Sequence, residues 1–363
     1  LDEPSIGLHP KDNQKLLLSL RNLQAKGNSL LVVEHDPETI LQADYLIDIG
    51  PEAGRHGGKI VGIGKPEELN KIKNSPTAKY MQYGMKHPLL GQWRPLPSKA
   101  KINQNDNWLT LEKVNFRNLK NFKVKIPTAR LSVCCGVSGS GKSSLVRGFL
   151  FPAVKEAISQ KKQHLKLDNG SIINGNAFNK VIEVTQNPIG KTSRSTPVTY
   201  LGVWDKIRTM ISSLPEANAR GLSPSHFSFN TKGGRCELCK GAGRIKVEMS
   251  FLPNSYVQCS ECKGARYKEE ILGLYWHSKN ISEILDLTFE EAADFFKFDH
   301  FLFETFSIMI ETGLGYIKLG QMSPTLSGGE AQRLKLASEL TLGIDKQKHR
   351  KLIKSKPTLY ILE

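Results

Sequence analysis

The feature that most constrains this chain is Gly136-Val137-Ser138-Gly139-Ser140-Gly141-Lys142-Ser143, which fits G-x-x-x-x-G-K-[ST]. It lies between the apolar LSVCC, which reads as a strand, and SSLVRGFL, which reads as a helix. A strand, a glycine turn and a helix in that order make a phosphate cradle. Gly136, Gly139 and Gly141 let the backbone aim its N–H groups, including those of Ser138 and Ser140, at phosphate oxygens. The helix N-terminus opening at Ser143 and Ser144 adds its positive dipole end. Lys142 is placed to reach the β- and γ-phosphates, and the Ser143 hydroxyl to ligate Mg²⁺. The fold class this implies is α/β. Cys134 and Cys135 have no spaced partners and are expected as small buried strand residues.

A second bare glycine turn, Ser327-Gly328-Gly329-Glu330, precedes the helical run LKLASEL and offers another N-terminal amide cluster suited to a phosphate. Between the two turns lie Cys236-x-x-Cys239 and Cys259-x-x-Cys262, separated by residues 240–258. That spacing is of the zinc-ribbon kind, with two thiolates from each knuckle closing a tetrahedral site that leaves no open catalytic position. The excursion between the pairs carries Arg244 and Lys246 with Phe251 and Tyr256, a basic and aromatic mix suited to a DNA backbone. Lys232 and Arg235 extend the basic character toward the first knuckle. The whole chain carries 51 Lys+Arg against 35 Asp+Glu, a formal +16, which favours a polyanionic partner. No long apolar run or leader pattern indicates a membrane span or signal peptide, so the cytosol is expected.

Along the chain, Lys11 to Lys26 has leucines at helical spacing and ends at Gly27, and Ser29 to Glu34 reads as a short buried strand. A helix over Pro37 to Ala43, a strand over Tyr45 to Ile49 and a turn at Gly57-Gly58 continue an alternation that predicts a mostly parallel sheet. The proline-containing, aperiodic 86–107 reads as a linker. Strand-like LTLEKV, FKVKI and LSVCC follow from Trp108.

With a phosphate loop upstream, LSGGE matches the signature of ABC-type ATPases, in which the signature of one domain closes over nucleotide held by another. By the same resemblance Asp2 and Glu3 stand at the end of a Walker B strand, Asp2 to hold Mg²⁺ and Glu3 to activate water, with the D-loop over residues 5–10. His35 matches the switch histidine and Gln186 the Q-loop glutamine. The stretches LDEPSIGLHP, VVEHD, IDIGPEAGRHGG, GVSGSGKSSL and FSFNTKGGRCELCKGAGRIKVEMSFLPNSYVQCSECKGARY together resemble one family, UvrA, the damage-sensing ATPase subunit of bacterial excinuclease. The resemblance implies ATP, Mg²⁺ and structural Zn²⁺ as cofactors. It also implies damaged double-stranded DNA as partner, a homodimer, and hand-over to UvrB, whose docking segment precedes residue 1 in the family.

The resemblance divides the chain into 1–85, the C-terminal part of a first ATPase domain; 86–107, a linker; and 108–200, the N-terminal part of a second domain. An inserted signature domain follows over 201–310, with its zinc module at 236–262, and then the signature helix and the start of a second Walker B strand over 311–363. On that division the chain is cut inside both Walker B strands, neither ATP site is complete, and hydrolysis by these residues alone is not expected. Two departures stand out. Thr185 occupies a position where the family usually has Asp, and 341–356 is long and basic, with Lys346, Lys348, Arg350, Lys351, Lys354 and Lys356. Competing expectations are a transporter ATPase subunit, a DnaJ-like zinc module, and a UvrA paralogue linked to drug resistance.

Overall fold

The computed structural model describes all residues except 73–74, 85–90, 92–93, 97–107, 191, 193, 248–254, 342–355 and 363. Most of the expected linker, Phe251 and the core of the basic 341–356 stretch therefore lie outside the described residues. The chain divides into two compact units, residues 1–183 with 356–361, and residues 184–355 with 362–363.

In the first unit, the helix Pro10–Ala25 starts where the ring nitrogen of His9 accepts from the Lys11 N–H at 3.2 Å and Pro10 fills the first turn. It buries Asn13, Leu17 and Leu20. Asn13 donates to the Asp36 carboxylate at 2.8 Å, and the same carboxylate caps the helix Pro37–Leu41 through Thr39 N–H at 2.9 Å. Strand Leu46–Gly50 runs antiparallel to Lys59–Gly64. A four-stranded sheet follows, ordered Leu119–Pro127, Trp108–Phe116, Gly170–Ile173, His164–Leu167, with antiparallel neighbours throughout. Leu109, Leu111 and Ile172 turn inward from it onto Phe149, Val154 and Ala157 of the helical segment after the phosphate loop. That segment opens with a π-type stretch, Ser144–Leu150, and continues as the α-helix Phe151–Gln160.

Three expectations are corrected. Over residues 1–85 the expected parallel sheet is absent from the described residues: Leu46–Gly50 and Lys59–Gly64 pair antiparallel, and the parallel contact there is the isolated bridge of Asp2 with Val33, while a further two-stranded sheet joins Thr358–Leu362 to Lys180–Val184. Residues 29–34 are not a buried strand: they touch residues 1–5 through the bridge, through Leu31 O, which accepts from the Leu1 amino group at 2.8 Å, and through the Glu34 side chain, and Leu31 is 77% exposed. LSVCC likewise forms no strand; Leu131 is 88% exposed, and Cys134 and Cys135 are exposed. The reason is common to both segments. β-structure is held by a neighbour's hydrogen bonds, and among the described residues no strand lies alongside either run.

The second unit is a helical body around Trp204, Ile207, Phe229, Tyr267, Phe289 and Phe306. Tyr267 meets its polar requirement by donating to Phe227 O at 2.9 Å, which makes its complete burial tolerable. Its helices are strongly capped: Asn280 with Glu283 and Thr288 with Glu291 form reciprocal capping boxes. From this body projects the antiparallel hairpin Arg244–Val247 with Ser255–Gln258. Among the described residues no helix is long and apolar enough to cross a membrane.

Candidate functional site

The phosphate loop adopts the backbone its glycines permit. Gly136, Gly139 and Gly141 have φ of 148°, 77° and 104°, a region costly to residues with a Cβ. At Gly141 a Cβ would also lie 2.9 Å from the Asn118 side-chain amide, which would have to shift, but it is the backbone conformation that disfavours other residues there. Lys142 is folded onto its own loop, its Nζ donating to Gly136 O at 2.7 Å and Val137 O at 2.9 Å. The Ser138 N–H donates to the carboxylate of Asp12 at 3.2 Å. Hydrogen bonding from the Ser138 side chain and its N–H holds the Asp12 carboxyl below the usual carboxylate range.

In the same unit, residues 1–5 and 33–35 are stitched together. Glu3 N–H donates to Val33 O and Val33 N–H to Leu1 O, both at 2.9 Å, and Ser5 N–H donates to Glu34 Oε1 at 2.9 Å. The consequence is that Glu3 and His35 come together, with His35 Nδ1 3.7 Å from Glu3 Oε1. Glu3 itself sits at φ 41°, a left-handed conformation rare for its type. Asp2 is exposed beside them.

In the second unit the signature turn is a capping box. Ser327 N–H donates to Glu330 Oε2 at 2.8 Å, and Glu330 N–H to Ser327 Oγ at 3.2 Å. The S-G-G-E spacing thus satisfies two amide groups at the start of the helix Gly328–Thr341. Tyr316 donates to the other Glu330 oxygen; burial and that carboxylate push its hydroxyl up to about 12. Gln186 lies against this turn: a Cβ on Gly328 would be 3.1 Å from the Gln186 Cβ. Lys335, two turns along the helix, donates to Thr185 O at 2.9 Å and Asn187 O at 2.6 Å, bracketing Gln186. The structure therefore groups Asp2, Glu3 and His35, and separately groups Gln186 with Ser327, Gly328, Gly329 and Glu330. Asp12, Tyr316 and Lys335 were missed in the sequence, because no spacing marks a residue whose role is a contact made by folding.

Cys236, Cys239, Cys259 and Cys262 are buried with their sulfurs all within 4.8 Å of one another. The pairs Cys236–Cys259 and Cys239–Cys262 are 3.8 and 3.6 Å apart, far longer than a disulfide of about 2.05 Å. Four thiolates about 2.3 Å from one zinc ion would lie about 3.8 Å from each other, so the donor set and spacing can hold zinc. The two knuckles repeat one backbone: Lys240 and Gly241 have φ of 51° and 79°, and Lys263 and Gly264 have 47° and 90°. Of the four expected DNA contacts, Lys232, Arg244 and Lys246 are exposed. Arg235 is only 8% exposed and donates to Asn230 O at 3.0 Å, which makes it a strut beneath the first knuckle.

A phosphate loop, a capped LSGGE turn and an inserted four-thiol module define an ABC-type ATPase fold with a metal-knuckle insertion. No family model matches the chain. It is 47% identical over 344 residues to UvrABC system protein A of Thermus thermophilus, covering 94% of this chain and 35% of that protein. It is 49% identical over 343 residues to the protein of that name from Listeria innocua, with 94% and 35% covered. The crystal structure of UvrA2 from Deinococcus radiodurans superposes with a TM-score of 0.85 at 38% identity, covering all of this chain and 45% of that one. In sequence and in fold the chain is similar to a segment of these proteins, and it spans about a third of the length of the curated relatives it matches.

Proposed function

We propose that this chain is part of a UvrA-type ATPase of nucleotide excision repair, which uses ATP to recognise damage in double-stranded DNA. The observation that carries the reading is the four-thiol module with its exposed Arg244 and Lys246, set in sequence between Gln186 and the LSGGE turn. A transporter ATPase subunit has no use for such an insertion. Identity of 47–49% to proteins named UvrABC system protein A favours the repair enzyme over a resistance paralogue.

In this reading the amides of residues 136–141 cradle the nucleotide phosphates and Lys142 swings from its loop carbonyls to the β- and γ-phosphates. Ser143 and Asp2 are the residues that would hold Mg²⁺, which supplies charge neutralisation when bound. Glu3 activates the attacking water, His35 contacts the γ-phosphate, and Gln186 senses Mg²⁺ and water, each for the site to which its domain contributes. Ser327, Gly328, Gly329 and Glu330 close over nucleotide held by another domain's loop. Zn²⁺ on the four thiolates is structural. The five-segment division at 85, 107, 200 and 310, homodimerisation, hand-over to UvrB and a cytoplasmic location belong to the same proposal. We also propose that these 363 residues hydrolyse little ATP on their own, because they contain one phosphate-loop motif and one signature.

The test is titration of a labelled 30-base-pair duplex with the chain across a salt series. Binding that falls steeply with salt and tolerates sequence is expected. Failure to bind duplex at low salt would overturn the reading. Turnover at the rate of an intact tandem ATPase, lost in Lys142→Ala, would overturn the inactivity proposal alone.

A further inference from the structure

The hairpin Arg244–Val247/Ser255–Gln258 is two-faced, as a strand's alternation requires. Ile245 packs on the thiol cluster. Arg244 stands opposite Gln258 in register, and Lys246 opposite Tyr256, so these four share the other face. That face does not simply look into solvent. Arg244, Tyr256 and Gln258 form one wall of a cleft of about 730 Å³, and Arg266, Asp286 and Lys318 stand on the side of the helical body.

The chemistry of the cleft is cationic. Arg244, Arg266 and Lys318 face a single carboxylate, Asp286, which Lys318 engages at 3.2 Å. Arg244 and Tyr256 have no side-chain partner among the described residues. Arg266 is the unusual member. It is 8% exposed, its guanidinium lies 5.1 Å over the Phe229 ring, and one terminal nitrogen donates to Gly320 O at 2.7 Å. The other terminal nitrogen is buried with no partner, and the residue sits at φ 71°. A buried, incompletely paired guanidinium on a left-handed backbone is costly twice over, and such costs persist where a ligand repays them. The cleft floor is glycine for a steric reason: a Cβ on Gly243 would lie 2.8 Å from Gly264 O and 3.3 Å from Arg266 Cγ. Backbone is thereby kept flush beneath the cationic walls.

We propose that this cleft is a phosphate site, separate from the nucleotide loop, and that it takes a backbone phosphate of a nucleic-acid strand. The occupant rests on the DNA-binding reading above; the phosphate chemistry rests on the cleft alone. Arg244 and Lys318 supply the outer charge, Tyr256 a face for the adjoining sugar or base, and Arg266 a fixed inner charge.

The experiment uses the full chain carrying Lys142→Ala, which silences the nucleotide loop, with two probes: a 30-base-pair duplex and inorganic pyrophosphate. Arg244→Ala/Lys318→Ala changes two exposed side chains, and a thermal melt matching the parent establishes that it folds. Lys297→Ala, an exposed cation outside the cleft, is the control. The double variant should bind duplex about tenfold more weakly, and its slope of log affinity against log salt should shrink by about two, one for each phosphate-contacting cation. The control should leave both unchanged. Duplex binding that is intact in affinity and slope in the double variant overturns the cleft while leaving the DNA reading standing. No duplex binding by the parent, with pyrophosphate binding lost in the double variant, overturns the nucleic-acid occupant and assigns the cleft to a free phosphate ligand.

Discussion

The Asp12 carboxylate accepts the Ser138 N–H at 3.2 Å, so a side chain from the first turn of the Pro10–Ala25 helix occupies an amide of the phosphate loop. With Lys142 bonded to Gly136 O and Val137 O, the loop satisfies itself without phosphate. Nucleotide must displace both arrangements, and an anion must enter beside an anion. Asp12→Asn keeps the size and removes the charge. It should tighten binding of a labelled ADP about fivefold, the effect of one charge at roughly 4 Å in a water-like dielectric. Unchanged or weaker binding in a fluorescence titration would remove Asp12 from this role. Because the Asp12 carboxyl is depressed, the contact is present throughout the neutral range and is lost only as pH falls below the ordinary carboxylate range. The Asp12→Asn gain should therefore be the same at pH 6 and pH 8.

Lys335 holds the backbone on both sides of Gln186 through the carbonyls of Thr185 and Asn187. Charge-assisted bonds of this kind contribute about 1.5–3 kcal/mol each. Lys335→Met should loosen residues 185–190, read as faster amide hydrogen exchange there with the zinc content unaltered. Thr185 Oγ1 lies 3.3 Å from the same ammonium group, at the position where the family usually carries Asp. Thr185→Asp should convert that contact into a part-buried ion pair and raise stability by about 0.5–1 kcal/mol. A melt showing no gain would mean that Lys335 is already fully engaged.

Ser327 and Glu330 cap the signature helix by reciprocal bonds, so Ser327→Ala should cost about 1 kcal/mol. Denaturant unfolding of the two proteins measures this. An equal midpoint would show that the serine serves only its phosphate-facing role.

Metal analysis should find one Zn²⁺ per chain purified without chelator, and chelation should lower the melting temperature of the second unit. Burial pushes the Cys236 and Cys262 thiols up, so these two are protonated at neutral pH without metal, whereas backbone hydrogen bonds from Cys262 and Glu261 outweigh burial and bring the Cys259 thiol down. Zinc binding must then release protons, and affinity should rise with pH. Proton release is readable by calorimetry in buffers of different ionisation enthalpy. Zinc-free chain with an unchanged melt would contradict a structural metal.

Much of the functional chemistry was legible in residue order because it is local. The phosphate loop needs glycines at fixed offsets, a capping box needs Ser327 and Glu330 three residues apart, and paired knuckles need C-x-x-C twice. The helix expected over Lys11 to Lys26 is found at Pro10–Ala25, and LTLEKV lies within the strand Trp108–Phe116, since periodicity reports which face seeks burial. What periodicity cannot report is who arrives to cover that face. Ser29–Glu34 and LSVCC are apolar enough for strands, yet a strand is a relation between two segments, and no neighbour among the described residues completes theirs. Folding alone decided the carboxylate on the Ser138 amide, the ammonium bracketing Gln186, the 3.7 Å approach of His35 to Glu3, and the burial of Arg235. Each depends on side-chain direction and packing, and neither is written in the order of the residues.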